Sequence, residues 1–348
     1  MQNKTIGWDI GGAHVKAAVL NEQGEIVNVM QVACPLWKGI EHLHESVNAI
    51  LTTLSTDSYT HVVTMTGELA DCFSSRQQGV EAIIQTMQQL LSPQPLSIYA
   101  SQFGFLSPAH IQTTHTMAIA SVNWQASAEL VARYCENGLF VDIGSTTTDL
   151  LLIEQHQLQA QGLTDYQRLV SGELLYTGVI RTSVMAIAQQ AIFKQQAMNL
   201  MAEHFATMAD VYRLTEDLSA AHDQAETADG AEKTAIASAR RLSRLTGYEF
   251  NLDDWSLWLE FAQFLKNQQK QKIWLACKKQ LARQHTPAQT CLVGAGVGRF
   301  LLQEIAAEQG FTYLDFNSFF TSLENAAVLD AGDCAPAVAV AYLGGRFG

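Results

Sequence analysis

Basic residues are scarce in this chain. Its 21 Lys and Arg stand against 34 Asp and Glu, a formal net charge of −13 over 348 residues. The deficit leaves no basic track for nucleic-acid phosphates or an anionic membrane. An anionic ligand therefore needs a local site, built from backbone amides and a metal ion. The six cysteines, Cys34, Cys72, Cys135, Cys277, Cys291 and Cys334, form no CxxC pair, so neither a zinc site nor a disulfide framework is indicated. Long apolar runs of about 18 residues are missing, and "MQNKTIGWDIGG" enters a strand with no charged-then-apolar leader. The expectation is a soluble cytoplasmic protein without nucleic-acid or membrane partners, its oligomeric state open to a homo-oligomer. Proline is missing from positions 109 to 286, and Gly230 and Gly247 are the only glycines between Val179 and Val293. That central stretch, rich in Ala, Gln, Leu, Glu, Lys and Arg, is predicted to be mostly helix over about 179–285.

The two ends of the chain read differently. Short β-branched runs such as "THVVTMTG", "GLFVDIG", "QTCLVGAG" and "FTYLDF" alternate with helical patterns, and at 48% hydrophobic the chain is too long for one ordinary core. "WDIGGAHVKAAVL" at 8–20 returns as "VDIGSTTTDLLLI" at 141–153, offset by 133 residues, pairing Asp9 with Asp142, Gly11 with Gly144, Gly12 with Ser145 and Lys16 with Asp149. Each copy runs on past a polar turn into another strand. A repeat of this size predicts two related α/β lobes, 1–125 and 126–348, facing across a cleft, the second carrying the helical insertion.

In such a turn, glycine permits the close approach that lets backbone N–H groups converge on an anion. Gly11 and Gly12 form the first candidate phosphate site, and Gly144, Ser145, Thr146 and Thr147 the second. Asp9 and Asp142 are candidate ligands for Mg²⁺, a hard cation that takes oxygen ligands beside phosphates. Lys16 and His14, two residues apart on one strand face, are candidate diphosphate contacts. A third glycine segment, "CLVGAGVGRFLLQEI", makes Gly294 and Gly296 candidates for close approach to a flat ligand such as a nucleotide. Asn123 precedes a helical pattern, where an N-cap role competes with ligand contact. Glu203, His204 and Asp210 make only a weak metal pattern, and "KNQQKQKIWLACKK" reads as a solvated helix face.

The paired "DIGG" and "DIGS" hairpins with the late "VGAGVG" segment resemble the acetate kinase, sugar kinase, Hsp70 and actin superfamily, whose two-lobed, ribonuclease H-like fold is therefore expected. "MTGELADCFSSRQQGV" at 65–80, "VDIGSTTTDLLLI", "SGELLYTGVIRT" at 171–182 and "TADG" at 227–230 resemble the hydantoinase/oxoprolinase-like branch known as the tetrahydromethanopterin-linked C1 transfer pathway protein family. Its archaeal members are similar to the methanofuran biosynthesis enzyme that makes the phenoxymethylfuran-methanamine core. The resemblance implies a Mg²⁺-dependent transferase joining the phenol of a glutamyl-tyramine or tyrosine compound to aminomethyl-furanylmethyl diphosphate, with release of pyrophosphate. On that reading Glu68, Asp71 and Glu173 are candidate general bases, Glu173 also a metal candidate, and Arg76 a phosphate or carboxylate contact. Competing expectations are a kinase or hydantoinase-type ATPase, and a nucleotide-binding scaffold without turnover. Against simple ATP use, "GGAHVK" lacks the hydroxyl residue that kinase-like relatives carry after the glycines.

Overall fold

The run before the first glycine turn forms a strand, β1 (Lys4–Ile10), buried on both faces. Ile6, Trp8 and Ile10 face one layer of helices, while Gly7 lies against another. In this computed structural model, which describes residues 4–54, 58–285, 290–322 and 329–346, the chain continues through β2 (His14–Leu20), β3 (Ile26–Ala33), α1 (Glu41–Leu51), β4 (Tyr59–Met65), α2 (Arg76–Leu91), β5 (Leu96–Tyr99) and β6 (Phe105–Leu106). These strands make one sheet, ordered β3-β2-β1-β4-β5-β6. The short α3 (Thr116–Ile119) and the helix α4 (Asn123–Tyr134) lead to β7 (Gly138–Ile143), β8 (Thr148–Glu154), β9 (Gln157–Leu158), α5 (Asp165–Ser171) and β10 (Leu174–Leu175). A second sheet runs β10-β8-β7-β13-β14, with β9 also on β8, once β13 (Cys291–Ala295) and β14 (Thr312–Asp315) join it around α9 (Arg299–Gln309).

The repeat is structural down to its register. In both copies the first two strands are antiparallel and the next strand in line, β4 or β13, runs parallel to the first. Asp9 faces Lys16 across β1 and β2, and Asp142 faces Asp149 across β7 and β8, at the offset of the sequence repeat. The third strand differs: β3 is eight residues long, while its counterpart is split into the two-residue β9 and β10. The chain is a two-lobed α/β protein of the actin-like, ribonuclease H-like type.

The last helix, α10 (Ala335–Arg346), returns to the first sheet, where it packs on β1, β2 and β4 and on α4. Together α4 and α10 form a layer between the sheets. Its apolar cluster takes Ala18, Leu20 and Val62 from one sheet and Phe140, Leu151, Val293 and Ala295 from the other. The expected lobe boundary at 125/126 thus falls inside α4, in the layer both lobes share.

The central stretch is less helical than its composition predicts. It holds α6 (Met208–Leu214), α7 (Ala235–Thr246) and the 27-residue α8 (Trp255–Leu281), but also a hairpin, β11 (Gln190–Phe193) with β12 (Gln196–Asn199), and an irregular passage between α6 and α7. The hairpin wins because Ala191 and Phe193 alternate with exposed Gln190 and Ile192, a period of two that packs Phe193 against Trp258 and Phe261. Arg213 and Arg241 tie the irregular passage to Asp223 and Asp229 and converge on buried Asp210. Asp210 is therefore a structural acid, and no metal cluster of three or more His, Cys, Asp or Glu occurs among the described residues. The lysine-rich face of α8 is only partly solvated, since Lys266 is buried on Asp217 and Glu304, and Gln269 and Gln280 lie in the interior.

Candidate active site

Both glycine turns are hairpins with two residues at the tip. Gly11 N donates to His14 O at 3.0 Å, and Gly144 N donates to Thr147 O at 2.9 Å. Among the described residues the tip amides, those of Gly12 and Ala13 and of Ser145 and Thr146, donate to no protein acceptor, and a Cβ added at Gly12 would meet nothing. The second turn is held from behind, as Val179 N donates to Gly144 O and Ile180 N and Arg181 N donate to Ser145 O.

The turns open on one cavity of about 340 Å³, lined by both tips and by Asp9, His14, Lys16, Thr66, Ser121, Asp142, Asp149, Arg168, Tyr176 and Arg181. Asn123 and Trp124, which begin α4, and Pro336, at the start of α10, line it too. The N-termini of both central helices therefore meet the cavity and add positive potential to the free turn amides.

Charges of both signs line the cavity. Asp9 is pushed up to about 6 by burial, against the pull of Lys16 and a hydrogen bond from Asn123 Nδ2 at 3.3 Å. Asp142 is pushed up to about 7, by burial and then by Asp149, and accepts no hydrogen bond among the described residues. Asp149 is raised by burial but paired with Arg168 at 2.6 Å, the guanidinium in turn resting 4.0 Å over the Trp124 ring. Facing these acids, Lys16 Nζ donates to Asp333 O at 2.7 Å. Burial works against its charge, but Cys334, Asp9, Asp142 and Asp333 outweigh burial and raise its pKa. Burial, then Lys16 and Arg181, lowers His14 to about 4, so its imidazole is neutral. Arg181 is exposed, 5.6 Å from the Trp37 ring and without a carboxylate partner among the described residues. An unpaired arginine, a lysine and free amides suit an anion, and two carboxylates with raised pKa suit a cation beside it.

The structure thus gathers Asp9, Gly11, Gly12, His14, Lys16, Asn123, Asp142, Gly144, Ser145, Thr146 and Thr147 around one space. Asn123 is the first residue of α4, whose N-cap is Val122, so its side chain is free to hold Asp9 instead of capping. The other candidates lie elsewhere. Glu68 is fully buried behind the first turn, Asp71 is exposed on the following turn, and neither lines the cavity. Arg76 begins α2 and faces Glu68 at 3.6 Å and Asp165 at 3.4 Å rather than the cavity. Glu173 follows α5, and its carboxylate is consumed by Gln161 N, Gly162 N, Ser171 Oγ and Arg283. Residues 176–183, whose last five fall in the stretch predicted to be mostly helix, are irregular and wrap the second turn. Gly294 packs under Tyr313, and Gly296, at φ +80°, packs against Asp142 and Ile143, so both serve the sheet's contact with the turn and not the cavity. Ser121 and Arg168 enter the site without a motif of their own, while Asp149 comes with the repeat and Arg181 with the segment 171–182.

The profile of the hydantoinase/oxoprolinase family matches residues 59–331. A (4-{4-[2-(gamma-L-glutamylamino)ethyl]phenoxymethyl}furan-2-yl)methanamine synthase of Methanocaldococcus jannaschii is 30% identical over 247 residues, covering 70% of this chain and 72% of that protein. A protein of the same name from Methanococcus vannielii is 31% identical over 125 residues, 36% of this chain and 56% of its own length. Among solved structures, nucleotide-free acetone carboxylase superposes with a TM-score of 0.53 at 10% identity, over 89% of this chain and 68% of that one, a likeness of fold alone.

Proposed function

The chain belongs to the hydantoinase/oxoprolinase family, and on that premise we propose that it is a transferase in the biosynthesis of a methanofuran-type cofactor. In this reading it joins the phenol oxygen of a glutamyl-tyramine or tyrosine compound to aminomethyl-furanylmethyl diphosphate and releases pyrophosphate. The observation that carries it is the pair of hairpin tips whose unpaired amides open on one cavity beside Lys16 and Arg181. The name carried by the archaeal relatives supplies the ether that such a diphosphate would form.

The chemistry asks little covalent work of the protein. The electron-rich furan stabilises positive charge on its methylene carbon, so the site must hold the diphosphate, stabilise its charge as it leaves, and keep water out. The tip amides, Lys16, Arg181 and the two helix N-termini would bind the leaving group. Neutral His14 would donate a hydrogen bond to it without adding a titrating charge. Asp9 and Asp142 are the residues that would hold Mg²⁺, which supplies charge neutralisation at the diphosphate oxygens. Their raised pKa values, and the lack of a donor to Asp142 among the described residues, fit a cation there. Leu69 and Tyr176, exposed at the cavity edge with Trp37 close to Arg181, offer apolar surface to the two rings.

The test is pyrophosphate release by the purified protein with Mg²⁺ and aminomethyl-furanylmethyl diphosphate, with and without the phenol. Phenol-dependent release is expected, reduced about 100-fold or more in Asp142→Asn and Asp9→Asn. No release, together with Mg²⁺-dependent ATP turnover, would replace this reading with the kinase one.

A further inference from the structure

Ser121 is an unusual residue for its position. It lines the cavity, its backbone is left-handed at φ +54°, and no glycine takes the strain. Three contacts fix it there. Trp124 Nε1 donates to its carbonyl at 2.9 Å, the preceding Ala120 bridges to Met65 at the end of β4, and its hydroxyl donates to Glu68 Oε1 at 2.6 Å. Glu68 is 0% exposed, and its other oxygen, Oε2, has no hydrogen-bond partner. Arg76, whose Nε is also unpartnered, approaches Oε1 only to 3.6 Å. A buried carboxylate oxygen left empty costs stability, so the fold holds Glu68 against its own interest. It holds it firmly, because the backbone of Glu68 lies so close to Gly79 that a Cβ there would sit 2.1 Å from Glu68 O.

Resting on the condensation proposed above, we infer that Ser121 is the residue that takes the phenol proton, passing its own to Glu68. Glu68 cannot reach the cavity, and Ser121 is the cavity residue whose hydroxyl touches it. As the phenol oxygen attacks the methylene carbon, the O–H proton moves to Ser121 Oγ, the Ser121 proton moves to Glu68 Oε1, and the C–O bond to diphosphate breaks, its electron pair leaving with pyrophosphate. The carboxylate ends protonated and neutral, and releases that proton back through Ser121 before the next turnover. Burial raises Glu68, with the Ser121 hydrogen bond opposing, which suits a proton acceptor. Ser121 acts on substrate, and Glu68 is a positioning and proton-accepting residue behind it.

Phenol acidity separates this from a structural role. Ser121→Gly removes the hydroxyl while suiting the left-handed backbone, and Glu68→Gln keeps the shape of the buried side chain. With a tyramine-type phenol, both variants should lose about 100-fold in kcat with little change in KM for the furan diphosphate. With 4-nitrophenol assayed as its phenolate, which needs no base, both should return to within a few-fold of the unmodified enzyme. Equal deficits with the two phenols, or none in Ser121→Gly, would overturn the relay while leaving the condensation intact. If the unmodified enzyme releases no pyrophosphate with either phenol, the condensation falls and the relay with it.

Discussion

At the scale of single residues, Asp142 gives the sharpest expectation, because its burial and the neighbouring Asp149 and Asp9 act in the same direction. Its folded pKa, about 7, lies above the unfolded value near 3.8, so between those values the folded protein binds more protons than the unfolded one. Stability from this group is present at low pH and is lost as pH rises toward 7; Asp9, at about 6, adds to the same trend. Asp142→Asn should therefore raise the Tm of the metal-free protein by a few degrees at pH 7.5, on the order of 1–2 kcal/mol, and change it little at pH 4. Calorimetry at the two pH values checks this, and Mg²⁺ should narrow the gap at pH 7.5 if it binds the ionised acid. Asp9, Asp142 and the turn glycines are legible in the sequence because a repeat at fixed offset is visible along the chain. Ser121 and Arg168 are not, since each owes its place to a contact with another segment: Ser121 to Glu68 and Arg168 to Asp149. Glu173 misleads in the opposite sense, an acid in a suggestive motif whose oxygens are spent on loop amides.

At the scale of elements, the contact between β1 and α10 decides how tightly the shared layer can close. A Cβ at Gly7 would lie 2.0 Å from Ala337 O and 2.7 Å from Ala341 N, both backbone atoms, so only a shift of the whole helix makes room. Gly7→Ala should cost about 3 kcal/mol, read as a lower urea midpoint at unchanged slope. Gly12→Ala, which meets nothing, should change the stability read from that midpoint by no more than about 0.5 kcal/mol. An equal effect of the two would refute the packing argument. Strand identity and pairing in the repeat follow from patterns the sequence carries, near-continuous apolar runs and a tight glycine turn. The central stretch shows the limit of composition. Residues 190–199 have helical preference and a strand's alternation, and the alternation prevails once Phe193 finds Trp258 and Phe261, a contact more than sixty residues away.

At the scale of the molecule, the sandwiching of α4 and α10 between the two sheets bears on whether the lobes are independent. Neither sheet can unfold alone without exposing this layer, since Ala18 and Val62 cover it from one side and Phe140, Leu151 and Val293 from the other. The first sheet draws its central packing partner from the twelve-residue α10, so it is not complete until a segment more than 300 residues beyond β1 has arrived. The Lys16 contact to Asp333 and the Arg76 pair with Asp165 add polar ties between the lobes, though the second, partly exposed at 3.4 Å, is worth little by itself. Heating should therefore give a single calorimetric transition, with a total enthalpy of about 240 kcal/mol near 60 °C for a chain of this length and a van't Hoff enthalpy close to the calorimetric one. Two resolved transitions would mean that the apolar layer does not couple the sheets. In that case Gly7→Ala should shift only one of them, and that peak would identify the lobe whose core ends at α10.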